Sequence, residues 1–259
     1  MRTLARPVMI LFATILFATM LAGSTALADQ REDFLAGKTR SCPGCDLSGQ
    51  SFKRRDLTNA DLTGANLKDA NFHDARLINA RLGGADLSSA NLNKANLGRA
   101  DLRGAKLQEA MLYAANLDGA NLTGADLTDA MMGTARLTRT DLARATLRNV
   151  DLRKGRLAET NLAGADLSAI ALDFAMMRGA KLDGAALVEA RLLGAELPEA
   201  SLKGADLTDA DAQGASFRGA DFTRAKLAGT NFRRANLYDA KLDDAIFDRT
   251  TMPDGTTMP

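Results

Sequence analysis

The sequence predicts an all-β chain wound as a coil of short, straight sides around a thin apolar core. Three observations predict it. Every fifth position from Leu47 to Phe247 is large and apolar, about 41 in one unbroken register, and Ala212 alone falls below Met in size. Two residues before each such position stands a small one, usually Ala, as at Ala60, Ala65, Ala70 and Ala75. Five is also a spacing that neither ordinary element accommodates. In an α-helix successive leucines would step round the cylinder by about 140° and never form one face. In a flat strand an odd spacing throws them onto opposite faces. Leu and Ala both point inward only if the chain bends once per repeat, with successive coils stacked at about 4.8 Å.

Each slot of the repeat has a mechanical reason. Leu fills the axis of a side, and Ala sits where the interior is too narrow for anything longer. Asp or Asn between them, as in Asp61, Asn66, Asp86 and Asn121, can bond backbone groups near the bend, and Gly in pairs such as Thr63-Gly64 relieves it. Departures from the pattern favour four sides per coil, or 20 residues. Thr140 and Thr160 replace Ala 20 positions apart, as do Val150 and Ile170, and Met111 and Met131 share the same separation in the Asp/Asn slot.

The elements follow in order. Residues 1–28 read as a signal peptide: Arg2 and Arg6, an apolar run from Val8 to Ala22, then small residues ending at Ala28, the expected cleavage point. The run is about 15 residues, short of the roughly 20 that span a bilayer as a helix. Residues 29–41, with Glu32-Asp33-Phe34-Leu35, are expected to cap the first coil, since an open end exposes strand edges and core. Residues 42–250 form the repeat array, and 251–259 a turn and tail signalled by Pro253-Asp254-Gly255. Cys42 and Cys45 fall on the large and small inward registers at the start of the array. A disulfide or a pair of buried thiols suits an exported chain, against a redox Cys-x-x-Cys or a metal site, for which the surrounding pattern offers no support.

The tandem Ala-Asp/Asn-Leu-x-x pattern, as in Ala60-Asp61-Leu62-Thr63-Gly64 and Ala65-Asn66-Leu67-Lys68-Asp69, resembles the pentapeptide-repeat family over about four fifths of the chain. The resemblance implies a right-handed quadrilateral β-helix, here a solenoid of about ten 20-residue coils with a short N-terminal cap. It does not fix function, because one fold serves unrelated roles.

Composition narrows the function classes. The chain has 259 residues with 33 Lys+Arg against 32 Asp+Glu, one His and two Cys. That balance argues against a nucleic-acid binder with a dominant basic surface. A lone His73 in an outward slot and two Cys give catalysis or a metal centre little to be built from, and no phosphate-binding or nucleophile motif occurs. No enzyme activity, cofactor or metal is expected. Met111, Tyr113, Met131, Phe174 and Leu193 fall on one outer side of a 20-residue coil, in slots that are otherwise mostly polar, and are expected to form a contact patch. A basic stretch (Arg136, Arg139, Arg144, Arg148, Arg153, Lys154, Arg156) precedes an acidic one (Asp183 to Asp211), which reads as two belts.

The reading is therefore an exported, periplasmic or secreted, non-enzymatic interaction or scaffold protein, with an unidentified protein partner or self-association, no nucleic acid and no stable membrane span after signal removal. A structural spacer without a specific ligand is the alternative. A second follows from the resemblance, since some family members mimic duplex DNA and bind topoisomerases in the cytoplasm. The signal segment and the mixed surface charge stand against it.

Overall fold

The structure, a computed structural model, describes residues 29–259. The predicted signal segment 1–28 and cleavage after Ala28 lie outside the described residues. The chain is helical over 29–35, then repeats one five-residue unit from Ser41 onward.

In each unit two extended residues precede a turn. Asp61 and Leu62 are extended, Thr63 and Gly64 make the turn, and the Ala65 N–H closes it on the Leu62 carbonyl at 3.1 Å. The second turn residue is left-handed in unit after unit, whether glycine, as at Gly64 (φ 64°), or a side-chain-bearing residue such as Arg99 (φ 57°) or Phe174 (φ 58°). Left-handed backbone costs an L-residue about 1–2 kcal/mol, so glycine eases the bend but is not required for it. The preceding Asp or Asn supports the turn: Asp61 Oδ1 accepts from the Thr63 N–H at 3.1 Å and from its hydroxyl at 2.6 Å.

Units connect at a distance of twenty residues. Parallel bridges pair Asp61 with Arg81, Asn66 with Asp86, Asn71 with Asn91 and Arg76 with Asn96, and continue in that register to Asn231 with Thr251. Each layer therefore holds four units, and units 20 apart stack in four columns, which begin at Cys42, Leu47, Phe52 and Leu57 and are numbered first to fourth. Leu62 donates forward to Arg81 O at 2.8 Å while Asp61 donates back to Arg40 O at 2.8 Å, so backbone groups alternate in direction between layers. No bridge among the described residues joins two acidic side chains, although Arg136 and Arg156 stand opposite each other.

This strand content overturns the expected all-β class and its right-handed quadrilateral β-helix. Among the described residues, regular strand is confined to β1 (Thr250–Thr251) and β2 (Thr257–Met258). They form one antiparallel, two-stranded sheet that does not close on itself. The physical reason is the turn. It interrupts the extended backbone after two residues, so neighbouring layers meet through isolated single-residue bridges and never accumulate a continuous strand. The solenoid descriptor falls with the class, and the molecule is described below as stacked turns.

The core is the inward register. Leu47 through Phe232 at the large position are buried, as are the alanines at the small position from Ala60 to Ala225. Exceptions are compensated locally. Ala212 is accompanied by the larger Phe217, Phe222 and Phe232 at nearby inward positions, whose rings meet edge to face at 5.1–5.9 Å. Thr140, Thr160, Thr230 and Thr250 replace the small residue, and each hydroxyl donates to a leucine carbonyl 23 residues earlier, for example Thr160 to Leu137 at 2.6 Å. Burial therefore leaves none of these hydroxyls unpaired.

Candidate functional site

The third column carries the surface that departs most from the polar consensus. Its outward turn slots read Tyr113-Ala114, Gly133-Thr134, Arg153-Lys154, Asp173-Phe174 and Leu193-Gly194 over five successive layers. Tyr113 and Phe174 are each 54% exposed, Met131 49% and Leu193 41%, while Met111 is half-buried. The bridge from Met111 to Met131 stacks those two side-chain positions in adjacent layers.

Small residues let the rings lie down. A Cβ on Gly133 would stand 3.4 Å from the Tyr113 ring, and one on Gly194 would stand 2.8 Å from Phe174. Each aromatic thus lies over a glycine of the following layer, presenting ring area outward. Behind the patch, Val150 and Ile170 fill inward slots that alanine occupies elsewhere, and both are fully buried. Gly155 occupies the next small slot after Val150, where an added Cβ would meet Leu152 O at 3.0 Å and leucine carbons at 3.1 Å. The interior behind the patch is therefore filled to its limit.

Between the apolar groups lie charges. Tyr113, Gly133, Thr134, Asp151, Arg153 and Lys154 line a shallow groove of about 270 Å³. Arg153 pairs with Asp151 at 2.7 Å and Arg191 with Asp173 at 2.6 Å. The side-chain hydrogen bond from Arg153, with its backbone N–H and positive charge, outweighs burial and holds the Asp151 carboxyl below the usual carboxylate range.

The other sequence expectations fare unevenly. Cys42 and Cys45 are both buried and bridged, with an S–S distance of 2.02 Å. His73 stands in an outward turn slot of the third column, and among the described residues no group of His, Cys, Asp and Glu could hold a metal ion. No helix among the described residues is long and apolar enough to cross a membrane. The basic belt is partly neutralised. Arg136 pairs with Asp118, Arg139 with Glu159, Arg148 with Asp166 and Arg153 with Asp151. Most of those acids lie about one layer away in space but 18–20 residues away in sequence, so a local charge count misses them. Asp173, in a polar slot between the apolar groups, lies beneath Arg191, a pairing 18 residues apart that the sequence does not display.

A family model described as pentapeptide repeats matches the chain in eight overlapping copies between residues 41 and 252. Among solved structures, the chain is similar to HetL, a pentapeptide repeat protein involved in heterocyst differentiation regulation from the cyanobacterium Nostoc. The identity is 32% over 89% of this chain and 98% of that one, with a TM-score of 0.44. It is similar to a pentapeptide repeat protein of the Arabidopsis thaliana thylakoid lumen, 32% identical over 40% of this chain and 70% of that one, TM-score 0.38. It is also similar to Rfr23 of the cyanobacterium Cyanothece, 33% identical over 39% and 63% of the two chains, TM-score 0.18. No curated protein matches the chain.

Proposed function

Because the chain belongs to the pentapeptide-repeat family, a non-catalytic one, we propose that it works as an exported interaction or scaffold module, holding a protein partner against the third column. The observation that carries this reading is the gathering of Tyr113, Met131, Phe174 and Leu193, four exposed large apolar side chains, into one column within five layers, whereas Met176, Tyr238, Ile246 and Met258, also exposed, lie outside that patch. Clustered exposed apolar groups interleaved with charge are what a partner buries. A stack whose backbone groups are bonded layer to layer holds such side chains in fixed relation, so little ordering cost is left for binding. The apolar run and small residues of 1–28 support export to the periplasm or beyond.

Crosslinking in the envelope fraction followed by affinity capture tests the reading. A stoichiometric partner is expected with the unaltered chain and is lost with Phe174→Asp plus Leu193→Asp at unchanged thermal stability. Recovery of no stoichiometric species would leave the spacer as the reading, and a topoisomerase captured from cytoplasm would replace both.

A further inference from the structure

The third column sorts its charges by depth. The Asp173 side chain is 6% exposed whereas its partner Arg191 is 59% exposed. Asp151 likewise lies under the more exposed Arg153. Lys154 makes no ion pair among the described residues. The carboxylates therefore face the body of the stack and the cations face outward: Arg153 and Lys154 stand in the middle layer over Asp151, and Arg191 reaches back from the Leu193 layer over Asp173, leaving Lys154 as the cation without an acid among the described residues. Apolar groups flank this centre: Tyr113 two layers before Lys154 and Leu193 two layers after it. At about 4.8 Å per layer, each lies about 10 Å from the basic centre.

The backbone of this column is already spent. Leu152 donates to Ala171 O at 2.8 Å, Lys154 to Asp173 O at 3.0 Å and Asp151 to Ala130 O at 3.1 Å. No strand can be added here, so a partner is read by its side chains alone. We propose that the column recognises a polyproline-II segment of a protein partner with the pattern apolar-x-x-acidic-x-x-apolar, a specification that rests on the interaction reading above. A polyproline-II helix has three residues per turn and a rise of about 3.1 Å, so its first, fourth and seventh side chains lie on one side about 9 Å apart. That matches the apolar, basic, apolar order and spacing of the column. A β-type segment would turn its fourth residue away from its first and seventh. The apolar ends pack on the Tyr113 and Leu193 side chains, and the central carboxylate meets Lys154 across the groove beside Tyr113. Aromatic surface suits such segments, which arrive already ordered.

The test is fluorescence anisotropy of fluorescein-labelled Leu-Pro-Pro-Glu-Pro-Pro-Leu titrated with the intact protein. Saturable binding is expected, weakened at least tenfold by Leu193→Asp and by Lys154→Glu. Lys154→Glu should also transfer preference to Leu-Pro-Pro-Lys-Pro-Pro-Leu, a gain that misfolding cannot produce. Absence of saturable binding, equal binding of the two peptides by the unaltered protein, or equal binding of the shortened Leu-Pro-Glu-Pro-Leu would each overturn the proposal. If partner capture depends on Phe174 and Leu193 but the peptide does not bind, this inference fails and the interaction reading stands. If no partner is captured at all, the interaction reading itself fails.

Discussion

At the amino end, the helix over 29–35 seats Phe34, fully buried, against Phe52, which stacks in turn on Phe72 with centroids 5.0 Å apart. Arg55 lies over both Phe34 and Phe52 and donates to the Phe34 carbonyl, while Arg31 reaches Asp46 O and Arg40 reaches Thr58 O, both at 2.7 Å. At the carboxyl end, Leu237, Leu242 and Phe247 occupy the same inward register yet are only partly buried. Their N–H groups donate to no other backbone group among the described residues. The β1–β2 hairpin covers the third column alone, through Phe232 to Thr251 O at 2.8 Å and Arg234 to Pro253 O at 2.9 Å. The same repeat thus ends sealed on one side and open on the other. The difference teaches that the repeat itself supplies only an inward register; sealing comes from side chains outside it.

Substitutions can break or sharpen that contrast. The largest effect is expected at the sealed end, where Phe34→Ala should cost about 3–5 kcal/mol in denaturant unfolding. Phe247→Ala, at the open end, should cost about 1–2 kcal/mol because less apolar area leaves water there. Equal losses would remove the contrast. In the middle, Gly155→Ala restores the consensus small residue yet should cost about 1–3 kcal/mol, since the added methyl meets Leu152 and Leu157 at 3.0–3.1 Å. A stabilising outcome would show that the interior behind the patch has room. Thr160→Val should cost about 1 kcal/mol by withdrawing a donor from Leu137 O.

Acid should act along the whole stack. The hydroxyls of Thr63, Ser88 and Thr223 hold the carboxyls of Asp61, Asp86 and Asp221 below their ordinary range. A depressed folded pKa adds stability above the unfolded value and loses it as pH falls through the folded one. Melting temperature should therefore be flat from neutral down to about pH 5 and decline below about pH 4. The smallest effect is expected at an exposed turn, where Ala169→Gly, at φ 56°, should stabilise by up to about 1 kcal/mol.

The inward register was legible because a period of five fits neither helix nor flat strand, so Leu62 and Ala65 had to share one interior. The short amphipathic segment before the array drew attention to Phe34, and the coordinates show that side chain buried against Phe52. The scarcity of regular strand among the described residues was not legible. Stacking at sheet spacing suggested strands, but Thr63-Gly64 ends each extended stretch after Asp61-Leu62, and the length of that stretch is set by turn geometry and not by hydrophobic pattern. Contacts across layers were equally hidden. Asp118 neutralises Arg136, and Arg191 covers Asp173, at separations of 18 residues that a reading along the chain does not weigh. Of the candidate site, the residue types were visible in the sequence, whereas the depth order of its charges needed coordinates.

The central functional claim is that one column meets the partner. Photo-crosslinking from single positions tests it most directly, with a benzophenone side chain introduced in place of Tyr113 or Leu193 in the third column, and of Thr123 or Lys203 in the first. The account predicts a discrete adduct from both third-column positions and none from the first column. Adducts of equal yield from all four positions, or from the first column alone, would contradict it.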